Sequence, residues 1–172
     1  MAISMHSASV PVFERMLGNM NNWLDKAEAH AAAKKFEPSV YLGLRLAPDM
    51  LAFTTQIQIA CDAAKFCMSR LSGVDAPKFE DNEVSLADLR ARITKTIAYL
   101  RSVPADAING TDAKDISVPR RAGAIVMKGE NYLKQFALPN FFFHVTTVYA
   151  LLRHSGVELG KADYLGALTA EG

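Results

Sequence analysis

Apolar residues recur along this chain in steps of three and four, the period of helices that bury one face. Val10, Phe13, Met16, Leu17, Met20, Trp23, Leu24 and Ala27 form the first such stripe, which fades into Ala31, Ala32 and Ala33. Ser9 and Pro11 suit its entrance, since proline in a first turn loses no hydrogen bond; a turn of helix before Pro11, with a kink, is the alternative. The segment 34–47 holds Pro38 and Gly43 and reads as a crossing loop, ending at Pro48 and Asp49, which suit a first helical turn. A second helix is expected from about Asp49 to Leu71, with Met50, Phe53, Ile57, Ala60, Ala64, Cys67 and Leu71 on its core face and Gly73 as its stop. Gln58, Asp62, Lys65 and Ser69 line another side together. Ser85 and Asp88 are spaced as a capping box opening a third helix, which carries Leu86, Leu89, Ile93, Ile97 and Leu100 and closes at Pro104.

Between Asp112 and Lys128 the period changes. Residues 116–119 and 124–127, separated by 120–123, predict a short hairpin, with Pro119 confining its strand to an edge. The last helix, from about Gly129 to Ser155, is apolar nearly all round, and Pro139 is expected to kink it by removing a backbone bond near Gln135. Together these elements predict an all-α four-helix bundle with a small hairpin between helices 3 and 4. No Pro/Gly/Ser-rich linker interrupts the pattern, so the expectation is a single domain over residues 1–172. Gln135–Leu152 carries no formal charge, which raises a membrane question. Pro139, Asn140, His144, Thr146 and Thr147 answer it in favour of a buried bundle helix.

Charge narrows the partners. A net charge of +1, with acids and bases mixed along the chain, supplies no footprint for nucleic acid or an anionic membrane surface. The one basic cluster, Arg120 and Arg121, reads as a solvated turn. The stretch 1–6 lacks a basic start followed by an apolar run, so a cytoplasmic location is expected. Cys61 and Cys67 would stand about 9 Å apart along a helix axis, too far to bridge, and read as reduced packing residues.

Several patches resemble one family in order: Arg45–Met50 (RLAPDM), Gln56–Lys65 (QIQIACDAAK), Asn140–Arg153 (NFFFHVTTVYALLR) and Gly160–Leu165 (GKADYL). The resemblance is to a bacterial branch of the DinB/YfiT-like superfamily known mainly as a domain of unknown function, and it covers nearly the whole chain. It implies a helical bundle that is often a homodimer. In metal-bearing members it implies a divalent ion held by a second-helix His and a His-x-x-x-His pair on the fourth helix; residues four apart face the same way, so two imidazoles can converge on one ion. His144 matches the first member of that pair. Val148 stands in the second position, and the second-helix position falls near Gln58, so the ligand set is incomplete and a metal is expected only if other groups join His144.

His144 shares a stripe with Phe141, Val148 and Leu151 and points inward. It reads either as a core histidine bonded to a neighbour or as a general base or remaining ligand. The resemblance implies that helices 2 and 4 both border a cavity, so Asp62, mid-helix like His144, is the acid expected to meet it; the alternative is an exposed Asp62 paired with Lys65 or another surface base. Tyr149 and Arg153, four apart, suit a carboxylate or phosphate on one helix face, or else Arg153 and His154 only complement the helix dipole. Arg45 and Asp49 suit an inter-helix link or a pocket rim. His6 and His30 are expected in solvent. Three functional readings follow: a small-molecule-binding bundle with a cavity between helices 2 and 4; a metal-dependent or His144–Asp62-based transferase or hydrolase; and a homodimeric interaction protein built on the apolar fourth helix.

Overall fold

The computed structural model describes residues 3–120 and 123–168, which leaves Arg121 of the basic pair outside the described residues. Helix α1 spans Val10–Lys34, and every apolar residue of its expected stripe is buried. Backbone bonds from Ala8 to Ser4 and from Val10 to His6 form the turn that precedes it. The crossing loop contains a 3-10 turn at Pro38–Gly43 that buries Tyr41. His30 is half-buried rather than solvated, because its Nδ1 lies 2.6 Å from the Tyr41 hydroxyl.

Helix α2 spans Phe53–Ser72 and begins four residues later than Asp49. Residues 47–50 instead make a turn in which the Met50 N–H donates to Ala47, while the Phe53 N–H donates back to Leu44 at 2.9 Å. The loop thus satisfies a donor in the first turn of α2, where no intrahelical carbonyl is available. Helix α3, Leu86–Ser102, starts as its sequence predicts: Ser85 Oγ accepts from the Asp88 N–H, and the Asp88 carboxylate accepts from Ser85 Oγ and the Val84 N–H. Pro104 ends it and leads into a one-turn helix, α4, at Ala105–Ile108.

The hairpin forms as β1 (Asp115–Val118) and β2 (Ile125–Lys128), antiparallel, with Asp115 opposite Lys128 and Val118 opposite Ile125. Ile116 and Val118 point into the core. The fourth long helix is broken into α5 (Gly129–Tyr132), a π turn at Leu133–Ala137 and α6 (Leu138–His154). Pro139 therefore does not simply kink an α-helix. The turn before it widens by one residue, so the Leu138 N–H reaches Leu133, five positions back. A last short helix, α7 (Lys161–Leu165), docks on α1 through Trp23 Nε1, which donates to the Asp163 carbonyl at 3.0 Å.

Helices α1 and α2 stand diagonally opposite, each flanked by α3 and α6. Among the described residues no helix is long and apolar enough to cross a membrane. Cys61 and Cys67 are free and buried in the core, where burial pushes the Cys61 thiol up to about 12 and raises Cys67 as well.

Gly129 fixes where the fourth helix begins. Its N–H donates to Lys114 at 2.8 Å, and a β-carbon there would overlap the Thr111 carbonyl. Gly129→Ala is expected to cost about 1–3 kcal/mol by overpacking, read as a lower denaturant midpoint with an unchanged slope. A neutral substitution would show that the 111–115 segment moves aside freely.

Candidate functional site

His144 is buried, as its stripe predicts, but it does not meet Asp62. Its Nδ1 lies 2.6 Å from Gln56 Oε1, and the Gln56 amide nitrogen donates to the Leu51 carbonyl at 3.0 Å. A neutral imidazole with its proton on Nδ1 satisfies that contact, and burial lowers the His144 pKa, so the ring is uncharged at neutral pH. Gln56, which sequence reasoning did not single out, therefore seals α2 against α6. Val148, in the second position of the His-x-x-x-His spacing, is fully buried core. Among the described residues no three His, Cys, Asp or Glu side chains converge to hold an ion. The residues present do not fit the three-histidine metal site that the resemblance implies.

Asp62 instead bonds to Lys65 at 2.9 Å and to Arg92 of α3 at 3.2 Å. Arg92 has 2% of its side chain exposed, yet it also takes Asp81 at 2.9 Å and Glu83 at 2.8 Å from the loop between α2 and α3. Gln58 faces this cluster and not His144, donating to Glu83 at 2.8 Å. Lys65, expected on a solvated face, is buried with its ammonium over the Phe66 and Phe79 rings, 4.6 and 4.4 Å from their centroids. Burial alone would raise the Glu83 pKa; hydrogen bonds from Gln58 and Arg92 outweigh it and hold the carboxyl below the usual range. This cluster is a clamp that ties residues 79–83 to α2 and α3.

The remaining candidates do not gather. Tyr149 packs against Trp23 and Tyr164 with ring centroids 5.6 Å from each, while Arg153, four residues on, is exposed. Arg45 is exposed and donates to the Met50 carbonyl, making no link to Asp49 among the described residues.

A groove with chemistry does lie between α2 and the broken fourth helix. Ile59, Asp62, Ala63, Phe66 and Arg70 form one wall, and Tyr132, Phe136, Ala137 and Asn140 the other, around a volume of about 180 Å³. Each wall is one helical face at three- and four-residue spacing. Arg70 Nη1 donates to the Tyr132 hydroxyl at 3.0 Å, and its guanidinium lies 5.4 Å from the Phe66 centroid and 5.8 Å from that of Tyr132. Burial pushes the Tyr132 phenol up to about 12, so it stays protonated. Sequence reasoning missed Arg70, Tyr132 and Phe136. The signal it could have used is Phe66 with Arg70 on α2 and Tyr132, Phe136 and Asn140 on the broken fourth helix, four apart in each set.

A model of the domain-of-unknown-function family DUF1993 matches residues 5–165. The chain is also similar to the crystal structure of a DinB family member protein from Shewanella denitrificans, with 42% identity and a TM-score of 0.91 over 97% of this chain and 94% of that one. No curated protein matches it.

Two outcomes are expected from this geometry. Because the folded His144 pKa lies below its unfolded value, the unfolded chain takes up the proton first on acidification; stability is intact above about 6.5 and declines as pH falls toward the lowered folded value. Melting temperatures of His144→Gln should therefore fall less than those of wild type across that window, and parallel profiles would contradict it. Arg92→Met leaves Glu83, 7% exposed, without its cation. It should cost about 3–5 kcal/mol in chemical unfolding, and a loss under about 1 kcal/mol would mean that the clamp is worth no more than a surface pair.

Proposed function

The chain belongs to the DUF1993 family of DinB-like helical bundles, and from that premise we propose that it is a cytoplasmic small-molecule-binding protein whose ligand lies in the groove between α2 and the α5–α6 segment. The observation that carries this is the groove itself: an aromatic-walled recess with one oriented guanidinium, the combination of apolar surface and few convergent polar groups by which small-molecule sites are recognised. The π turn beside it supports the same reading, since such bulges concentrate at functional sites. Acid–base catalysis by His144 with Asp62 is the weaker reading, because the imidazole is engaged by Gln56 and the carboxylate by two cations.

Ala63→Trp, which fills the groove and keeps Arg70, is the test. A saturation-transfer screen of small planar compounds against wild type should give hits that vanish in Ala63→Trp while its circular dichroism stays native. No hit with wild type, or hits that survive the filling, overturns the proposal.

A homodimer is a second reading, favoured by Phe143, 57% exposed on α6 beside Leu46, Phe142 and Ala150. Wild type should then sediment as a dimer and Phe143→Glu as a monomer. A monomeric wild type would remove this reading and leave the groove untouched.

A further inference from the structure

We infer that the ligand of this groove is a small aromatic carboxylate, its carboxylate on Arg70 and its ring against Phe66 and Phe136; this rests on the groove being the binding site. The first support is the state of Arg70. Arg92 and Arg90, the other arginines drawn in against the bundle, each hold carboxylates: Asp62, Asp81 and Glu83 for Arg92, Asp25 and Glu28 for Arg90. Among the described residues Arg70 has no carboxylate within ion-pair distance. Among those residues its one side-chain hydrogen bond is to a neutral phenol through Nη1, and none of them partners the Nη2–Nε edge, two parallel donors matched to a carboxylate. Asp62 does not supply the charge. It sits eight residues back, about 12 Å along the helix axis, and is already held by Lys65 and Arg92.

The walls specify the rest of the ligand. Phe66 is 39% exposed, and Phe136 is half-buried in a stack on Tyr132, with centroids 5.9 Å apart and planes 24° apart. Uncovered ring surface beside a cation favours a planar, apolar body joined to an anion. The size suits one ring: a cavity of about 150 Å³ accommodates a benzene, and the groove offers about 180 Å³. Among the described residues Arg70 is the one cation lining the groove. A phosphomonoester would bring a charge of about −1.5 to −2 to a single arginine, whereas a carboxylate brings one and fits its fork.

The experiment is titration of benzoate, benzyl alcohol and phenyl phosphate into wild type, Arg70→Gln, Arg70→Lys and Ala63→Trp, followed by calorimetry and by amide chemical shifts along 59–70 and 132–140. Benzoate should bind wild type most tightly and lose about 10-fold or more in Arg70→Gln, while benzyl alcohol changes less than about 2-fold; all three should be lost in Ala63→Trp. Arg70→Lys, which keeps the charge and loses the fork, should fall between and serves if the glutamine variant does not fold. Benzoate that binds both Arg70 variants as tightly as wild type, or binds wild type more weakly than phenyl phosphate does, overturns the ligand class while the groove stands. Failure of all three probes overturns this inference, and binding unchanged in Ala63→Trp overturns the groove with it.

Discussion

Burial of the Arg92 guanidinium organises the α2–α3 half of the bundle. An arginine with so little contact with water is tolerated only where carboxylates and carbonyls surround it. Three of its acceptors come from residues 80–83, so the connection between the two helices is ordered by a side chain it did not contribute. The same cation holds Asp62, and through it Lys65, which turns a stripe that looks solvated on a helical wheel into the floor of that connection. With this side of α2 closed by charge and the next closed by Gln56 and His144, the outer edge facing α5 and the π turn is where the helix still offers side chains to a ligand.

That edge owes its shape to Pro139. A proline without its donor has to be accommodated somewhere in the preceding turn, and here the chain does so by inserting a residue into the ladder. The widened turn puts Tyr132, Phe136 and Asn140 on one face opposite Phe66 and Arg70. A break that the sequence announces as a defect of one helix thus becomes a property of the space between two.

Much of the fold was legible because it rests on local period. The α1 stripe, the Ser85–Asp88 cap and the change of period at the hairpin each depend on neighbours a few residues away; the first two appear as read, and the hairpin forms with each strand shifted by one residue, which leaves Pro119 outside β1. What escaped depends on partners distant in sequence. The start of α2 is set by Leu44, the burial of Lys65 by Phe79 and Asp62, and the partner of His144 is Gln56 and not the expected Asp62, which lies with Gln58 at the Arg92 clamp. Those two glutamines lie about 200° apart around the helix, so one faces α6 and the other the Arg92 clamp, and no periodicity of α2 alone tells which neighbour stands on which side. Arg70 was passed over for the opposite reason: an arginine near a helix end has so ordinary an explanation in the dipole that its missing counter-ion shows only in three dimensions.

The two thiols carry a practical corollary. Cys61 and Cys67 are both inaccessible and both held protonated by their surroundings, and only an exposed thiolate attacks an electrophile at a useful rate. Towards maleimide in neutral buffer the folded chain behaves as though it had no cysteine. A single cysteine introduced on an exposed position can therefore carry a fluorophore or spin label without the native pair being mutated, and any labelling of that pair reports unfolding.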